Sequence, residues 1–215
     1  FSLDEETLLR TLCPKEIELR VIKDRSDTRK EILEDADILI CGVAKKDIID
    51  LGKNLKMIQS IGVGIDGIDI GELKRRGILL SNMGGILAPV VAEQAISLIL
   101  ALTRSTVKHH NRLSSGNWKV EDFWKFQDQI ETLNGKNLGI IGYGRIGKEI
   151  GRLAKAFRMN ILAIRARPVS DTDVDFVGGP DMIEHVLSNS DIIVLAVPYT
   201  KETYRMIGER ELNLM

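Results

Sequence analysis

The sequence predicts an α/β protein built around a doubly wound parallel sheet, and three observations lead to that prediction. Short apolar runs typical of buried strands alternate along the chain with segments whose apolar residues recur at helical spacing. A glycine-rich turn joins one such strand to a helix at residues 142–147. The 215 residues, 44% of them hydrophobic and 28% charged, suit a soluble globular protein of one or two domains.

Composition and charge argue against several classes of function. The formal net charge of -1 gives no electrostatic reason for binding nucleic acid. The two cysteines, Cys13 and Cys41, are predicted to be reduced, mostly buried thiols rather than a disulfide framework. No signal peptide is visible, and the most apolar window, residues 95–102, is too short to cross a bilayer. We therefore expect a cytoplasmic protein without nucleic-acid or membrane partners.

The first third of the chain is predicted to alternate short helices and strands. Ser2 and Glu5 have the spacing of a capping box, which would open a helix that extends to Leu12. Residues 17–22 alternate apolar and charged side chains, which predicts a half-buried strand. The remaining predictions are a helix at 28–35, a buried strand at 37–41, a helical turn at 47–51, and strands at 55–61 and 78–81.

A first glycine pattern, Gly62-Val63-Gly64-Ile65-Asp66-Gly67, has G-x-G-x-x-G spacing but lacks the context of a dinucleotide loop. The next strand begins soon after Gly77, which leaves little room for the helix that the motif requires. From the residues alone we favour an ordinary glycine turn. Paired glycines could still expose backbone N–H groups to a small anion, so a ligand loop stays open as the alternative.

A long apolar helix is predicted at residues 90–107, with Pro89 at its start after a turn at 82–85. Because residues 95–102 are apolar nearly all round, this helix should be buried or pack on a partner subunit. We interpret His109 and His110 as solvated, since further metal ligands at useful spacing are missing, and we predict no metal site. A loop is predicted at 114–117, and the aromatic residues that follow it are expected to anchor packing or a subunit contact: Trp118, Phe123, Trp124 and Phe126.

The second glycine pattern has the context that the first one lacks. Residues 138–141 predict a short buried strand, and an amphipathic helix follows the turn at once. In such a turn the first glycine allows a tight bend, the second lets backbone approach a diphosphate, and the third lets the helix pack close to the strand. The free N–H groups and the positive dipole end of the helix would meet the phosphates. We therefore predict a dinucleotide-binding turn with its glycines at Gly142, Gly144 and Gly147.

The remainder of the chain continues the alternation of strands and helices. We predict strands at 160–164, 174–177 and 191–197, the last of them buried, and a helix at 180–187. In a sheet of order 3-2-1-4-5-6, the strand at 191–197 would be the fourth, and it would form a bare apolar edge if the chain ended there. The sequence starts with Phe1 and stops inside a predicted helix at 209–215, so we expect strands five and six to be missing from it.

The end of the second strand of this unit bears on the choice of cofactor. An acidic residue there normally holds the adenosine ribose hydroxyls, but Arg165 stands at that place, 18 residues beyond Gly147, and Ala166 and Arg167 follow it. A carboxylate would repel a 2′-phosphate, whereas guanidinium groups would bind one. We therefore predict that NADP(H) is preferred and that NAD(H) is possible. The alternative is that these arginines are solvated residues of a loop.

Five segments along nearly the whole chain carry a common resemblance: residues 60–69, 91–93, 116–118, 133–147 and 197–203. Together they resemble one family, the D-isomer-specific 2-hydroxyacid dehydrogenases. Their order along the chain makes the resemblance specific, and the arginines at 165 and 167 look most like the NADP-using glyoxylate and hydroxypyruvate reductases of that family. Two positions depart from the pattern, because Ala196 stands where a histidine is common and Ala88-Pro89 replaces a more polar helix entry.

The resemblance implies two Rossmann-like domains: a flavodoxin-like substrate domain that begins in residues 1–81, and a dinucleotide-binding domain, truncated at its C-terminus, in residues 82–215. It reassigns the first glycine pattern, since the matching family loop binds the substrate carboxylate through backbone N–H groups. The dimerisation region would lie around residues 90–130, which implies a homodimer. The implied site residues are Gly62, Val63 and Gly64 for the substrate, and Val63, Gly142, Tyr143, Gly144, Arg145, Ile146, Gly147, Arg165, Ala166, Arg167, Val197, Pro198 and Thr203 for the cofactor.

By the same resemblance, the family's catalytic arginine, glutamate and histidine are expected beyond the segment that matches Met215, so no catalytic residue is assigned within this sequence. We expect an oxidoreductase that transfers hydride from NADPH to a small 2-oxo acid and gives a D-2-hydroxy acid, with glyoxylate or hydroxypyruvate as the expected substrate. Two alternatives remain open. One is an NAD-linked D-lactate or phosphoglycerate dehydrogenase, and the other is a nucleotide-sensing protein like the corepressor branch of the family.

Overall fold

The computed structural model describes residues 3–22, 28–117 and 130–215. The chain divides into two compact units, residues 1–83 and residues 84–215. The domain boundary expected from the sequence falls between residues 81 and 82. Two predictions lie outside the described residues: the part that Ser2 plays in a capping box, and the aromatic group formed by Trp118, Phe123, Trp124 and Phe126.

The first unit contains a three-stranded parallel sheet in the order β1-β2-β3. Ile38 pairs with Met57 and Met57 with Leu79, which fixes the register across the sheet. The core of the unit lies on the face of the sheet that carries Ile58, which is fully buried. The elements are α1 (Leu3–Leu12), α2 (Thr28–Glu34), β1 (Ile38–Cys41), α3 (Lys46–Leu51), β2 (Met57–Ser60), α4 (Ile70–Arg76) and β3 (Leu79–Ser81).

The structure corrects three predictions in this unit. Residues 17–22 do not form a strand, because alternation marks a half-buried surface but does not supply a hydrogen-bonded neighbour. β1 is a partly exposed edge strand rather than a buried one, with Ile38 and Ile40 about half exposed, since β2 is its only neighbour in the described sheet. A helix, α4, does fit before β3. It begins at Ile70, where the Asp69 carboxylate caps it by accepting from the Glu72 N–H at 3.0 Å.

The second unit contains a four-stranded parallel sheet in the order β6-β5-β4-β7. In this unit's own count the order is 3-2-1-4, which confirms the predicted doubly wound topology. Leu138 pairs with Ile161 on one side and with Ile192 on the other. The elements are α5 (Ala88–Thr103), α6 (Thr106–Ser114), β4 (Asn137–Ile141), α7 (Arg145–Ala156), β5 (Asn160–Ile164), β6 (Phe176–Gly178), a 3₁₀ turn (Pro180–Met182), α8 (Ile183–Ser188), β7 (Ile192–Leu195) and α9 (Glu209–Leu212).

The long helix predicted at 90–107 is wrong in its extent, because the structure divides it into α5 and α6. Ser105 adopts a left-handed conformation with φ 50°, and the two helices are bent by 66° at this break. Among the described helices, none alone is long and apolar enough to span a membrane, and α5 with α6 meets that test of length and composition only as a bent pair. α6 carries the two histidines. His109 is half-buried rather than solvated, whereas His110 is exposed.

Two smaller expectations are also adjusted. β7 was expected to be buried, but it is an edge strand whose side chains are only partly buried, and Leu195 is exposed. Cys13 and Cys41 are both partly buried. In the described part of the chain, no group of three or more histidine, cysteine, aspartate or glutamate side chains could hold a metal ion.

Candidate functional site

The three glycines after β4 have different surroundings. Gly142 has φ 105°, and a Cβ atom built on it would lie 2.6 Å from the backbone C and O atoms of Ala196. A Cβ on Gly147 would lie 2.5 Å from the carbonyl oxygen of Gly142. By contrast, a Cβ on Gly144 would meet no atom within 4 Å. The first and third glycines are therefore needed by the fold itself, while the second leaves open space over the turn.

The N-terminus of α7 opens at this space. Gly144 is its N-cap, and no side chain caps the helix there. The Lys148 N–H donates to the Gly144 carbonyl at 2.9 Å and so closes the first turn of the helix. The N–H groups of the residues before Lys148 have no partner within the helix, and the positive end of the helix dipole lies with them. Backbone donors beside a glycine without neighbours form a cradle that fits a diphosphate.

Tyr143, one of the predicted cofactor contacts, has a structural role of its own. Tyr143 is only 1% exposed, and its N–H already donates to the Ile164 carbonyl at 2.8 Å. Its ring packs against α7, where a Cβ on Gly151 would lie 3.3 Å from Cε2. The geometry therefore places Tyr143 in the core, where it has almost no surface to offer a cofactor, and the cofactor contact through it stays a prediction.

Arg145 is exposed and lies over the turn that precedes α5. One of its guanidinium nitrogens donates to the Gly84 carbonyl. A Cβ on Gly85, which has φ 93°, would lie 2.9 Å from Cδ of Arg145. The arginine thus holds residues 84–85 next to the glycine turn. Ile146, the next predicted contact, is partly buried and packs against the core of the second unit.

The end of β5 presents the two predicted arginines. The Arg165 N–H donates to the Gly178 carbonyl at 3.0 Å, which fixes the backbone at this point. Its side chain is half-buried, whereas Ala166 and Arg167 are exposed. Within the described residues neither guanidinium group has a hydrogen bond or a salt bridge to a side chain or carbonyl, so each retains its donors for an anion.

Sequence reasoning missed an ion pair close to this strand end. Lys148 Nζ on α7 lies 2.6 Å from Oδ2 of Asp171, a carboxylate in the segment that connects β5 to β6. Hydrogen bonding from Lys148 is the largest cause that lowers the pKa of Asp171, and the backbone N–H of Asp173 and the charge of Arg165 lower it further. Lys148 Nζ also lies 5.8 Å from the centre of the Tyr143 ring. No spacing in the sequence pairs residues 148 and 171.

The segment after β7 carries the last group of predicted cofactor contacts. Val197 is partly buried and Pro198 is exposed. The Thr203 hydroxyl donates to the Pro198 carbonyl at 2.6 Å and accepts from the Thr200 N–H at 2.8 Å. It also lies 3.3 Å from the Thr200 hydroxyl. A hydroxyl has one donor and two acceptor positions, so Thr203 is saturated by these partners, and the geometry gives it the role of bracing Pro198.

The glycine loop of the first unit follows β2. The Gly62 N–H donates to the Ser60 hydroxyl at 3.3 Å, and its carbonyl accepts from the Met83 N–H at 3.1 Å. The Val63 carbonyl accepts from the Asn82 side chain at 2.7 Å. For the N–H groups of Val63 and Gly64, residues 3–22, 28–117 and 130–215 provide no acceptor. The loop is thus held by its other polar groups while two adjacent donors stay available.

Comparison with known proteins identifies the family. Residues 96–215 match the family model described as "D-isomer specific 2-hydroxyacid dehydrogenase, NAD binding domain". The chain belongs to the D-isomer specific 2-hydroxyacid dehydrogenase family. The matched region contains the glycine turn and the end of β5, so a nicotinamide dinucleotide is the cofactor class for this site.

Individual relatives support the assignment. A glyoxylate reductase of Thermococcus gammatolerans is 35% identical over 90% of this chain and 60% of its own length. A hydroxypyruvate reductase of Thermotoga maritima is 35% identical over 99% of this chain and 68% of its own length. Among solved structures, a D-lactate dehydrogenase of Aquifex aeolicus, complexed with NAD and lactic acid, is 26% identical, with a TM-score of 0.84 over all of this chain and 64% of that one. This chain therefore spans about two thirds or less of the relatives that it matches.

Proposed function

We propose that this chain belongs to an NADP(H)-dependent reductase that converts a small 2-oxo acid, glyoxylate or hydroxypyruvate, into a D-2-hydroxy acid. The observation that carries the proposal is the pairing of two features of the second unit. One is the open cradle at Gly144, and the other is a β5 strand that ends in arginines instead of the usual acid. The names of the relatives that are glyoxylate and hydroxypyruvate reductases support the choice of substrate.

The site residues divide into three groups under this proposal. Backbone N–H groups at 145–147 hold the diphosphate, with Gly142 and Gly147 shaping the turn. Arg165 and Arg167 hold the adenosine 2′-phosphate by charge-assisted hydrogen bonds. Val197 and Pro198, braced by Thr203, line the cofactor at the end of β7. When bound, the cofactor supplies the hydride for the keto carbon.

The substrate carboxylate is assigned to the loop of the first unit. The available N–H groups of Val63 and Gly64 form a pair of adjacent donors that suits one carboxylate. Asp66 limits this site, because a Cβ on Gly64 would lie 3.3 Å from its Oδ2. Polarisation of the keto group and proton transfer are not assigned to residues of this sequence. Val63 is also expected to contact the nicotinamide side of the cofactor.

A binding experiment tests the coenzyme assignment. We expect NADPH to bind more tightly than NADH in a fluorescence titration of the full-length protein. Arg165→Ala and Arg167→Ala should each weaken NADPH binding by about tenfold or more, since each charge-assisted bond contributes ~1.5 kcal/mol or more, and each should leave NADH binding nearly unchanged. Arg152→Ala is the matched control, because Arg152 pairs with Glu149 elsewhere on α7. Equal affinity of the wild-type protein for both nucleotides would refute the assignment.

An activity experiment tests the reaction. NADPH oxidation by the full-length protein with a panel of 2-oxo acids should be fastest with glyoxylate or hydroxypyruvate. A second candidate is an NAD-linked D-lactate dehydrogenase, supported by the structural similarity to the enzyme from Aquifex aeolicus, and it predicts turnover of pyruvate with NADH. Tight nucleotide binding without turnover of any 2-oxo acid would instead favour a nucleotide-sensing protein.

A homodimer is the proposed assembly, and its interface is assigned to the outer faces of α5 and α6. Leu98 and Leu102 on α5, and Val107 on α6, are large apolar residues that are exposed in the single chain. Leu102→Glu should convert the dimer to a monomer in sedimentation velocity. Val169→Glu adds the same charge at an exposed valine outside these helices and should leave the dimer intact. A wild-type protein that sediments as a monomer contradicts this assignment.

A further inference from the structure

We propose that Lys148 is a specificity-determining residue for the coenzyme, because it neutralises a carboxylate, Asp171, that would otherwise compete with the adenosine 2′-phosphate for Arg165. This inference rests on the proposed NADP(H) preference and names the residue that maintains it. Two anions, the Asp171 carboxylate and the adenosine 2′-phosphate, would compete for the guanidinium group of Arg165.

The ion pair holds Asp171 in one place. Its Oδ2 lies 2.6 Å from Lys148 Nζ, and its Oδ1 accepts from the Asp173 N–H at 3.2 Å. The Asp171 side chain is 18% exposed, so it is more enclosed than the 47% exposed side chain of Lys148. A carboxylate with both oxygens engaged is not available to a neighbouring arginine. Asp171 is thus an acid in the segment after β5 whose carboxylate oxygens are already bound by other groups of the protein.

Charge links this acid to the predicted phosphate site. Asp171 lies in the segment between β5 and β6, six residues after Arg165, and its Oδ2 is fixed on Lys148 Nζ. The charge of Arg165 is a smaller contribution to the lowered pKa of Asp171 than the hydrogen bond from Lys148. Without Lys148, the carboxylate loses its direct cationic partner, while the charge of Arg165 continues to act on it. A carboxylate close to an adenosine ribose favours the unphosphorylated 2′-hydroxyl. The expected result is a shift of preference from NADPH towards NADH.

The position of Lys148 also conflicts with local helix electrostatics. It lies near the N-terminal end of α7, where the helix dipole favours acidic residues, and the first turn of this helix contains no acidic residue. A local rule that is broken at one site is a feature expected of functional positions. Here the cation near the start of α7 forms an ion pair with Asp171 and so neutralises it.

The chain offers a matched control on the same helix. Lys155 Nζ lies 2.6 Å from Oδ2 of Asp175, which is the same ion-pair distance as between Lys148 and Asp171. Asp175, like Asp171, belongs to the segment between β5 and β6. Lys155 is seven residues further along α7, about 10 Å from Lys148 along the helix axis. A variant of Lys155 therefore removes an equivalent ion pair at a distance from the cradle.

The test is a fluorescence titration of the full-length protein with NADPH and with NADH. Lys148→Met should weaken NADPH binding by about tenfold and change NADH binding by less than about twofold. Lys155→Met should leave the ratio of the two affinities unchanged. Adding Asp171→Asn to Lys148→Met should restore the ratio, and Asp171→Asn alone should raise it above the wild-type value. This last variant keeps the test valid if thermal unfolding shows Lys148→Met to be misfolded.

The outcomes separate this inference from the proposed function. If the wild-type protein does not prefer NADPH, the proposed coenzyme assignment fails. If it does prefer NADPH, the inference is overturned by a Lys148→Met variant with an unchanged ratio, by equal losses for both nucleotides, or by Lys155→Met behaving in the same way. Failure of Asp171→Asn to restore the ratio would likewise overturn it, since neutralisation of Asp171 is the proposed cause.

Discussion

The three glycines of the dinucleotide turn should respond differently to substitution by alanine. Gly144→Ala places a methyl group where no atom lies within 4 Å, and φ at this position is -91°, which any residue adopts. We expect this variant to fold as well as the wild-type protein, within ~0.5 kcal/mol in free energy of unfolding. The same methyl group projects into the space assigned to the diphosphate, so it should weaken nucleotide binding by at least about tenfold, or ~1.4 kcal/mol.

The other two glycines should show the reverse behaviour. Gly142→Ala forces an alanine into a left-handed conformation, which costs ~1–2 kcal/mol, and brings Cβ within 2.6 Å of the Ala196 backbone. Gly147→Ala brings Cβ within 2.5 Å of the Gly142 carbonyl oxygen, and overpacking of this kind costs ~1–3 kcal/mol. Because 1 kcal/mol corresponds to a Tm change of roughly 2–4 °C for chains of this size, both variants should melt several degrees below the wild-type protein.

Thermal unfolding without nucleotide and fluorescence titration with NADPH separate the two effects. Gly144→Ala should keep its Tm and lose affinity, whereas Gly142→Ala and Gly147→Ala should lose Tm. A Gly144→Ala protein that binds NADPH like the wild type would show that the diphosphate does not approach this residue. A Gly144→Ala protein that melts as low as Gly142→Ala would show that the space above the turn is needed for folding.

Three further predictions follow from individual contacts. Thr203→Val removes the hydrogen bonds that hold Pro198 and should raise KM for the nucleotide several-fold. Thr203→Ser keeps the hydroxyl and should keep the wild-type KM, and equal kinetics for both variants would contradict the bracing role. Burial, with smaller contributions from Asp171 and Asp173, raises the pKa of Tyr143 to about 12. The neutral phenol therefore stabilises the fold below pH 10, and that contribution is lost as the pH rises towards 12. Tyr143→Phe should flatten this part of a curve of Tm against pH, and an unchanged slope would exclude Tyr143 as its source. Gly64→Ala puts a methyl group beside the available N–H groups of Val63 and Gly64 and should raise KM for the 2-oxo acid while nucleotide affinity stays constant. If binding of the 2-oxo acid and of the nucleotide weaken equally, this loop does not have a specific substrate role.

The strands of the second unit could be predicted because their sequence signal is local and strong. β5 occupies the predicted residues 160–164, and continuous apolar runs also located β4 and β7. The break between α5 and α6 left no such signal, since Ser105 is neither glycine nor proline and its left-handed conformation depends on tertiary packing. The strand expected at 17–22 shows the reverse case, a clear local signal without the structure. Its alternating pattern is present, but none of the described strands pairs with these residues.

The site could be predicted where backbone geometry determines it and not where side chains meet over long distances. Glycine spacing indicated the turn, because Gly142 and Gly147 each have a steric reason that spacing encodes, while Gly144 leaves open space. The contact between Lys148 and Asp171 joins residues from a helix and from a connecting segment, and no periodicity relates them. Tyr143 shows the same limit, since its place in a family motif suggested a ligand contact whereas packing against Gly151 buries it.

The two candidate anion sites use unpaired backbone N–H groups but are supported in different ways. At the dinucleotide turn, the donors belong to the end of α7, so regular helix geometry orients them. At the loop of the first unit no helix supplies this order, and the carbonyls of Gly62 and Val63 are held instead by Met83 and Asn82. This loop therefore depends on residues at the end of its own unit, just before the chain enters the second one. A perturbation of Asn82 or Met83 should consequently affect substrate binding before it affects nucleotide binding.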